Sequence, residues 1–197
     1  AHADDDFSKN KSIAELTDWN IYSPVWAPVS LEDQWLKLQD KDPFDYAKVE
    51  RKIPASKELK VSFDLKAGQN NKGTLQIEFL DENGIACSRM ELTDDGIFRL
   101  KGGSRFANMM KYEAGKVYHV EAVLSTVDRN IQVYVDGKRV GLRMFYAPVA
   151  AVERIVFRTG IPRTFPTVDT PADQTYDLPN AGAQDSLAEY GIANVKT

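Results

Sequence analysis

Three aspartates, Asp40, Asp42 and Asp45, sit close together in QDKDPFDYAKVERKI, residues 39–53. Carboxylates at that density could hold Ca²⁺, which takes six to eight oxygen ligands. The stretch lacks the central glycine and terminal glutamate of an EF-hand loop, and Pro43 fixes φ where Asp42 can cap its own backbone. The expectation is a turn that leaves Tyr46 at the start of a strand. Ca²⁺ is the alternative, and no other cofactor is implied.

A second set of residues suggests proton chemistry. Gln76 and Arg89 could neutralise a carboxylate, while His119 or Tyr134 could move a proton. Glu78 and Glu91 are the acids that could face each other across a hairpin. A retaining glycosidase needs two carboxylates ~5–5.5 Å apart, and no strand carries the acid spacing of such enzymes. Arg89 shares the parity of Glu91 and would pair readily with Glu78. The histidines are His2 and His119. His119 has no His or Cys companions, so a four-ligand zinc set is not available around it. No nucleophile elbow, phosphate loop or dinucleotide fingerprint occurs. LKGGSRF, with two glycines, reads as a bend near a rim. Trp19, Tyr22, Trp26 and Trp35 fall within one short stretch, and an exposed ring of this kind can stack on an apolar or sugar surface. Trp26, between Val25 and Ala27, is expected to be buried. Trp35 is out of phase with Leu36 and Leu38 and is expected to be exposed.

The elements that must position these residues are strands. LKVSFDL, TLQIEFL, CSRMEL, VYHVEAVLS and IQVYVDG alternate apolar and polar residues, one face buried and one polar. Turn signals fall between them at DENG (81–84), DDG (94–96), VDRN (127–130) and VDG (135–137), the mark of antiparallel hairpins. By parity the polar face includes Tyr46, Lys48, Gln76, Glu78, Arg89, Glu91, His119, Gln132 and Tyr134. SIAELTDW, with Ser12 and Glu15 as a capping box, predicts a short N-terminal helix. From about 160 to 187 the alternation fails among four prolines, which predicts a long ordered surface loop. YGIANVKT restores the alternation and predicts a closing strand over 188–197. The whole, 1–197, reads as one domain with an extension over 1–20.

The totals agree with this. The chain has 197 residues, is 43% hydrophobic and carries a net charge of −4, enough apolar surface for a real core. A pI near 5.3 argues against nucleic acid as a partner. No apolar run reaches the ~18–20 residues of a membrane span. Cys87 is alone, so no internal disulfide is expected. Ala1-His2-Ala3 has the form of a cleaved signal-peptide end, with a cut between domains as the alternative.

The segment GKVYHVEAVLSTVDRNIQVYVDGKRVG resembles the central hairpin of laminin-G-like and concanavalin-like jelly rolls. Tyr118-His119-Val120 matches one strand, and Val133-Tyr134-Val135-Asp136-Gly137 the next. DPFDYAKVER, VERIVFRTG and IANVKT together are similar to accessory sandwich domains in glycan-degrading proteins of Bacteroidetes, which often stand beside a sialidase-like β-propeller. The resemblance covers about residues 20–197. It implies an all-β, two-sheet antiparallel jelly-roll sandwich, periplasmic or on the cell surface. It also implies a non-catalytic role, binding a poly- or oligosaccharide or supporting a neighbouring catalytic module. Trp35, Tyr46, Gln76, Arg89, Gln132 and Tyr134 are the candidate sugar contacts. The alternative is a lyase or glycosidase for acidic polysaccharide, using Gln76, Arg89, His119 and Tyr134 on a concave face. LQIEF resembles the Gln-Ile-His run of jelly-roll lyases only in part, since Glu78 stands where they have His. A third possibility is a scaffold whose face is covered by a partner domain.

Overall fold

An alternating run becomes a strand because it can bury one row of side chains and leave the other in water. The computed structural model describes residues 2–42, 45–161 and 187–197. Among them the chain runs through β1 (Asp4–Asp5), a 3-10 turn (Ile13–Glu15), β2 (Trp19–Tyr22), β3 (Val29–Glu32), β4 (Trp35–Asp40), β5 (Lys48–Ser56) and β6 (Glu58–Ala67). It continues through β7 (Leu75–Leu80), β8 (Ala86–Leu92), β9 (Ile97–Gly102), β10 (Arg105–Lys111), β11 (Val117–Ser125) and β12 (Asn130–Val135). It ends with β13 (Lys138–Met144), β14 (Val152–Thr159) and β15 (Ala188–Lys196). The first sheet has the order β13-β12-β11-β6-β15-β4-β3, with β1 paired to the end of β15. The second has the order β10-β9-β8-β7-β14-β5-β2. The pairs are antiparallel throughout, and the two sheets stack as a jelly-roll sandwich.

The four turn signals fall where the sequence places them. At Asp136 and Gly137 φ is +50° and +82°. Two consecutive positive values suit the right-handed twist of a two-residue hairpin, and aspartate and glycine tolerate them. Gly102 pairs with Arg105, so the glycines of LKGGSRF make a hairpin into a further strand, β10.

Between the sheets the inward rows interdigitate. Phe63 of β6 meets Phe157 of β14 edge to face, with centroids 5.0 Å apart and both rings fully buried. Burying a side chain of that size contributes about 1.5–3 kcal/mol, before the cost of ordering it. Strand β15 is not a lid on an edge. It lies inside the first sheet, between β6 and β4.

The N-terminal extension is part of the core. Ala3, Phe7 and Leu16 are buried, and the Trp19 indole packs against Phe7 at 5.9 Å. One Asp5 oxygen accepts hydrogen bonds from Trp19 Nε1 at 3.0 Å and Arg51 Nε at 2.7 Å, tying β1 to β2 and β5. The expected helix here shrinks to the 3-10 turn. Ser12 makes no side-chain cap, and Trp19 already belongs to a strand, leaving no length for a second turn. The long loop expected over 160–187 lies almost wholly outside the described residues.

Candidate functional site

Parity separates inside from outside, but a sandwich has two outsides, and the nine residues assigned to one polar face divide between them. Gln76, Glu78, Arg89, Glu91 and Lys48 point outward from the second sheet, with Tyr46 beside them at its edge. His119, Gln132 and Tyr134 point outward from the first sheet. The sheets pack ~10 Å apart, and the two groups look away from each other. Gln76 and Arg89 therefore cannot hold the carboxylate of a sugar that His119 or Tyr134 deprotonates. The fold does not bring those four residues together in one site. Glu78 and Glu91 do not oppose each other either: the register sets Glu78 against Arg89 and Glu91 against Gln76.

On the second sheet the register builds two rows across five neighbouring strands. One runs Asn20, Glu50, Val156, Glu78, Arg89. The other runs Tyr22, Lys48, Arg158, Gln76, Glu91, with Arg99 next on β9. Each carboxylate has a cation beside it. Glu78 takes Arg89 at 3.2 Å, Glu50 takes Arg154 at 3.5 Å, and Glu91 takes Arg99 Nε at 2.8 Å. Gln76 Nε2 donates to Glu91 at 2.6 Å and to the Gly160 carbonyl at 3.3 Å. Both neighbours only accept, so the amide must turn its nitrogen toward them, and Gln76 Oε1 is left buried without a donor.

Rings stand at both ends of these rows. At one end Tyr22 and Tyr46 lie 5.1 Å apart, the Arg158 guanidinium is 3.9 Å above Tyr46, and Tyr22 Oη donates to Asp45 at 3.0 Å. At the other, Arg99 covers Phe106 at 4.0 Å and Lys101 Nζ lies 4.5 Å over Tyr146. Tyr146 comes from the connection between β13 and β14, and its backbone N–H bonds the Cys87 carbonyl at 3.0 Å. Burial pushes the Tyr146 hydroxyl up to about 12. Burial, with the Arg89 charge second, lowers the pKa of Lys101.

The first sheet's outward face is more open. His119 Nδ1 and Asn194 Nδ2 hold the two oxygens of Asp64 at 2.9 and 2.7 Å, and the imidazole side chain is 53% exposed. Tyr134 Oη donates to Gln132 at 3.1 Å. Trp35 is half-buried rather than free. Its ring lies against Gly191, where a Cβ would come within 3.0 Å, and Lys66 Nζ sits 4.9 Å above it. Trp26, expected inside, is half-buried too, because the core position goes to Ala27.

The aspartates that opened the sequence reading are occupied with backbone. Asp40 Oδ1 accepts from Asp42 N at 2.9 Å and its Oδ2 from the Thr159 hydroxyl at 2.7 Å. Asp42 accepts from Asp45 N at 3.1 Å, and Asp45 from Tyr46 N at 2.9 Å. Among the described residues no group of three His, Cys, Asp or Glu is placed to hold a metal. No helix of the described residues is long and apolar enough to cross a membrane.

Sequence reasoning missed Tyr146, Lys101, Arg99, Arg154 and Arg158. For two of them a signal existed: VERIVFRT alternates Arg154, Val156 and Arg158 against Ile155 and Phe157. Tyr146 has no such signal, since it sits in a connection.

A two-sheet jelly roll defines a class in which lectins, binding modules and polysaccharide enzymes share one scaffold. Within it, the model of the family described as "Sialidase-like, CBM domain" (CBM, carbohydrate-binding module) matches residues 19–174, and the chain belongs to that family. A solved structure of a sialidase is 87% identical over 100% of this chain, with a TM-score of 0.92. The chain spans 18% of that sialidase's length. Carbohydrate-binding module CBM66 from Bacillus subtilis superposes at a TM-score of 0.54 with 10% identity, covering 91% of this chain and 94% of that one. An alginate lyase of polysaccharide lyase family 7 gives 0.56 with 13% identity, covering 92% and 94%. At such identities the last two likenesses show the fold alone. No curated protein matches the chain.

Proposed function

We propose that this domain is a non-catalytic glycan-binding module that holds its ligand along the outward face of the second sheet. It serves a catalytic domain of sialidase type in the same protein, in the periplasm or outside the cell. The observation that carries this reading is a row of nearly buried charges on a surface that faces outward, ended by rings on both sides. Such charges add little stability for their desolvation cost, so a face that keeps them has another use. The exposed ends of Tyr22, Tyr46, Arg99 and Arg154 meet the sugar. The buried Gln76, Glu78 and Glu91 act through the cations they orient, Arg89 and Arg99 among them. Polar groups with fixed geometry set specificity, and the rings supply apolar area.

The test is a glycan array, then titration of the best ligand against variants of both faces. Tyr22→Ala and Tyr46→Ala are expected to weaken binding at least tenfold with the fold intact. Trp35→Ala, Gln132→Ala and Tyr134→Ala, on the other face, are expected to leave it unchanged. The reverse pattern would move the site to the first sheet.

A further inference from the structure

The rows on the second sheet are not balanced along their length. Glu50 is matched by Arg154 and Glu91 by Arg99. At the Tyr146 end the match fails. Continuing the pairing of Met90 with Leu100 by one residue sets Arg89 beside Lys101. Both cations lie near one carboxylate, Glu78, and Glu78 is bonded to Arg89 at 3.2 Å. Lys101 takes part in no ion pair among the described residues and rests on the Tyr146 ring. Arg89 Nε and the Tyr146 hydroxyl are buried and have no hydrogen-bond partner.

Two buried donors without a partner, and one lysine outside any ion pair among the described residues, therefore lie together beside a single carboxylate, Glu78. Buried polar atoms in native proteins are nearly always satisfied, so such a cluster calls for a partner. A sugar hydroxyl supplies one acceptor at a time. A carboxylate or a sulfate ester supplies several acceptor oxygens and the missing negative charge.

We propose that the Arg89–Lys101–Tyr146 end of this face is the subsite for an anionic substituent of the bound glycan, a carboxylate of an acidic sugar or a sulfate ester. The proposal rests on the second sheet's face being the glycan site. Lys101 is the movable member. Its long side chain covers the ring and swings onto the anion, exposing the guanidinium and hydroxyl beneath. Burial first, and the Arg89 charge second, lower the pKa of Lys101, and a bound anion would offset the second of these.

The test is calorimetric titration of the whole domain with sialyllactose, lactose and sulfated lactose. Expected are binding of one or both acidic ligands at least tenfold tighter than lactose, and weakening of that preference by added salt. The stronger of the two arms identifies the carboxylate or the sulfate as the recognised group. Lys101→Gln, which leaves the Glu78–Arg89 pair untouched, is expected to remove about tenfold of the acidic preference and none of the lactose binding. Tyr146→Phe is expected to act in the same direction. If lactose binds as tightly as both acidic ligands while Tyr22→Ala weakens all three, the anionic subsite is refuted and the glycan face stands. If no ligand binds, or only Trp35→Ala weakens binding, both readings fall.

Discussion

On the outward face of the first sheet, Lys60 and Glu121 meet at 3.4 Å with the lysine 67% exposed, and His119 meets Asp64 in the open. On the second sheet's outward face, Glu50, Glu78 and Glu91 are 3%, 8% and 7% exposed. Both faces carry acid–base pairs, and the energetics differ. Exposed pairs of the first kind contribute about 0–1 kcal/mol. Pairs of the second kind lose water's solvation of both charges and recover it only through close, well-bonded geometry. Both faces are backed by one apolar core, so neither is needed to hold the sheets together. The difference shows where the molecule keeps costly polar order, and that is where a ligand is to be sought.

The largest expected effect removes the backing of the open face. β15 contributes Tyr190, Ile192 and Val195, all fully buried, between β6 and β4. Deleting 188–197 should abolish cooperative unfolding in a thermal melt. A retained transition would show that the first sheet does not depend on this interior strand.

The next effect compares the faces directly. Glu78→Ala strands the Arg89 guanidinium, whose side chain is 19% exposed, and should cost about 3 kcal/mol in urea denaturation. Asp64→Ala should cost about 1 kcal/mol or less. Equal costs would erase the distinction. The double substitution Glu78→Leu with Arg89→Leu should recover most of the loss, because no charge is left without a partner.

A smaller effect appears in alkali. Burial pushes Tyr146, Tyr112 and Cys87 each up to about 12, from ordinary values of 10, 10 and 9. The folded state thus keeps protons that the unfolded chain has already released. Stability should fall as pH rises from about 9 toward 12 and be indifferent to these groups below. Tyr146→Phe should flatten part of that slope, whereas His119→Ala on the open face should leave it unchanged. Identical slopes in wild type and Tyr146→Phe would mean that the Tyr146 hydroxyl is not buried as described.

The smallest is an expected absence of effect. Asp40, Asp42 and Asp45 spend oxygens on backbone N–H groups and the Thr159 hydroxyl, which makes them turn formers. Chelator should leave the thermal midpoint unchanged. A drop restored by Ca²⁺ would turn this edge of the second sheet's face into a metal site.

How much was legible in the sequence depended on the range of the interaction. Hairpins were readable, because Asp136-Gly137 and the Gly84 and Gly96 turns need only their own backbone angles. The inward rows were readable, because period two is a property of the strand alone. The expected helix at Ser12 failed because packing of Phe7 and Trp19 outweighed a local capping signal. Tyr146 was invisible, because its place over Lys101 is set by contacts between segments far apart in the chain.

By itself, then, the sequence determined which side chains face the core, where the chain reverses and, through its motifs, the kind of sandwich it makes. Only the tertiary structure decided which sheet each strand joins. That choice put β15 inside the first sheet, parted His119 and Tyr134 from Gln76 and Arg89, and gathered Arg154, Arg99, Lys101 and Tyr146 around the buried glutamates. The reason is that alternation carries one binary choice per residue, inside or outside. Strand order is a non-local choice, settled when whole apolar rows find the partners that remove the most surface from water.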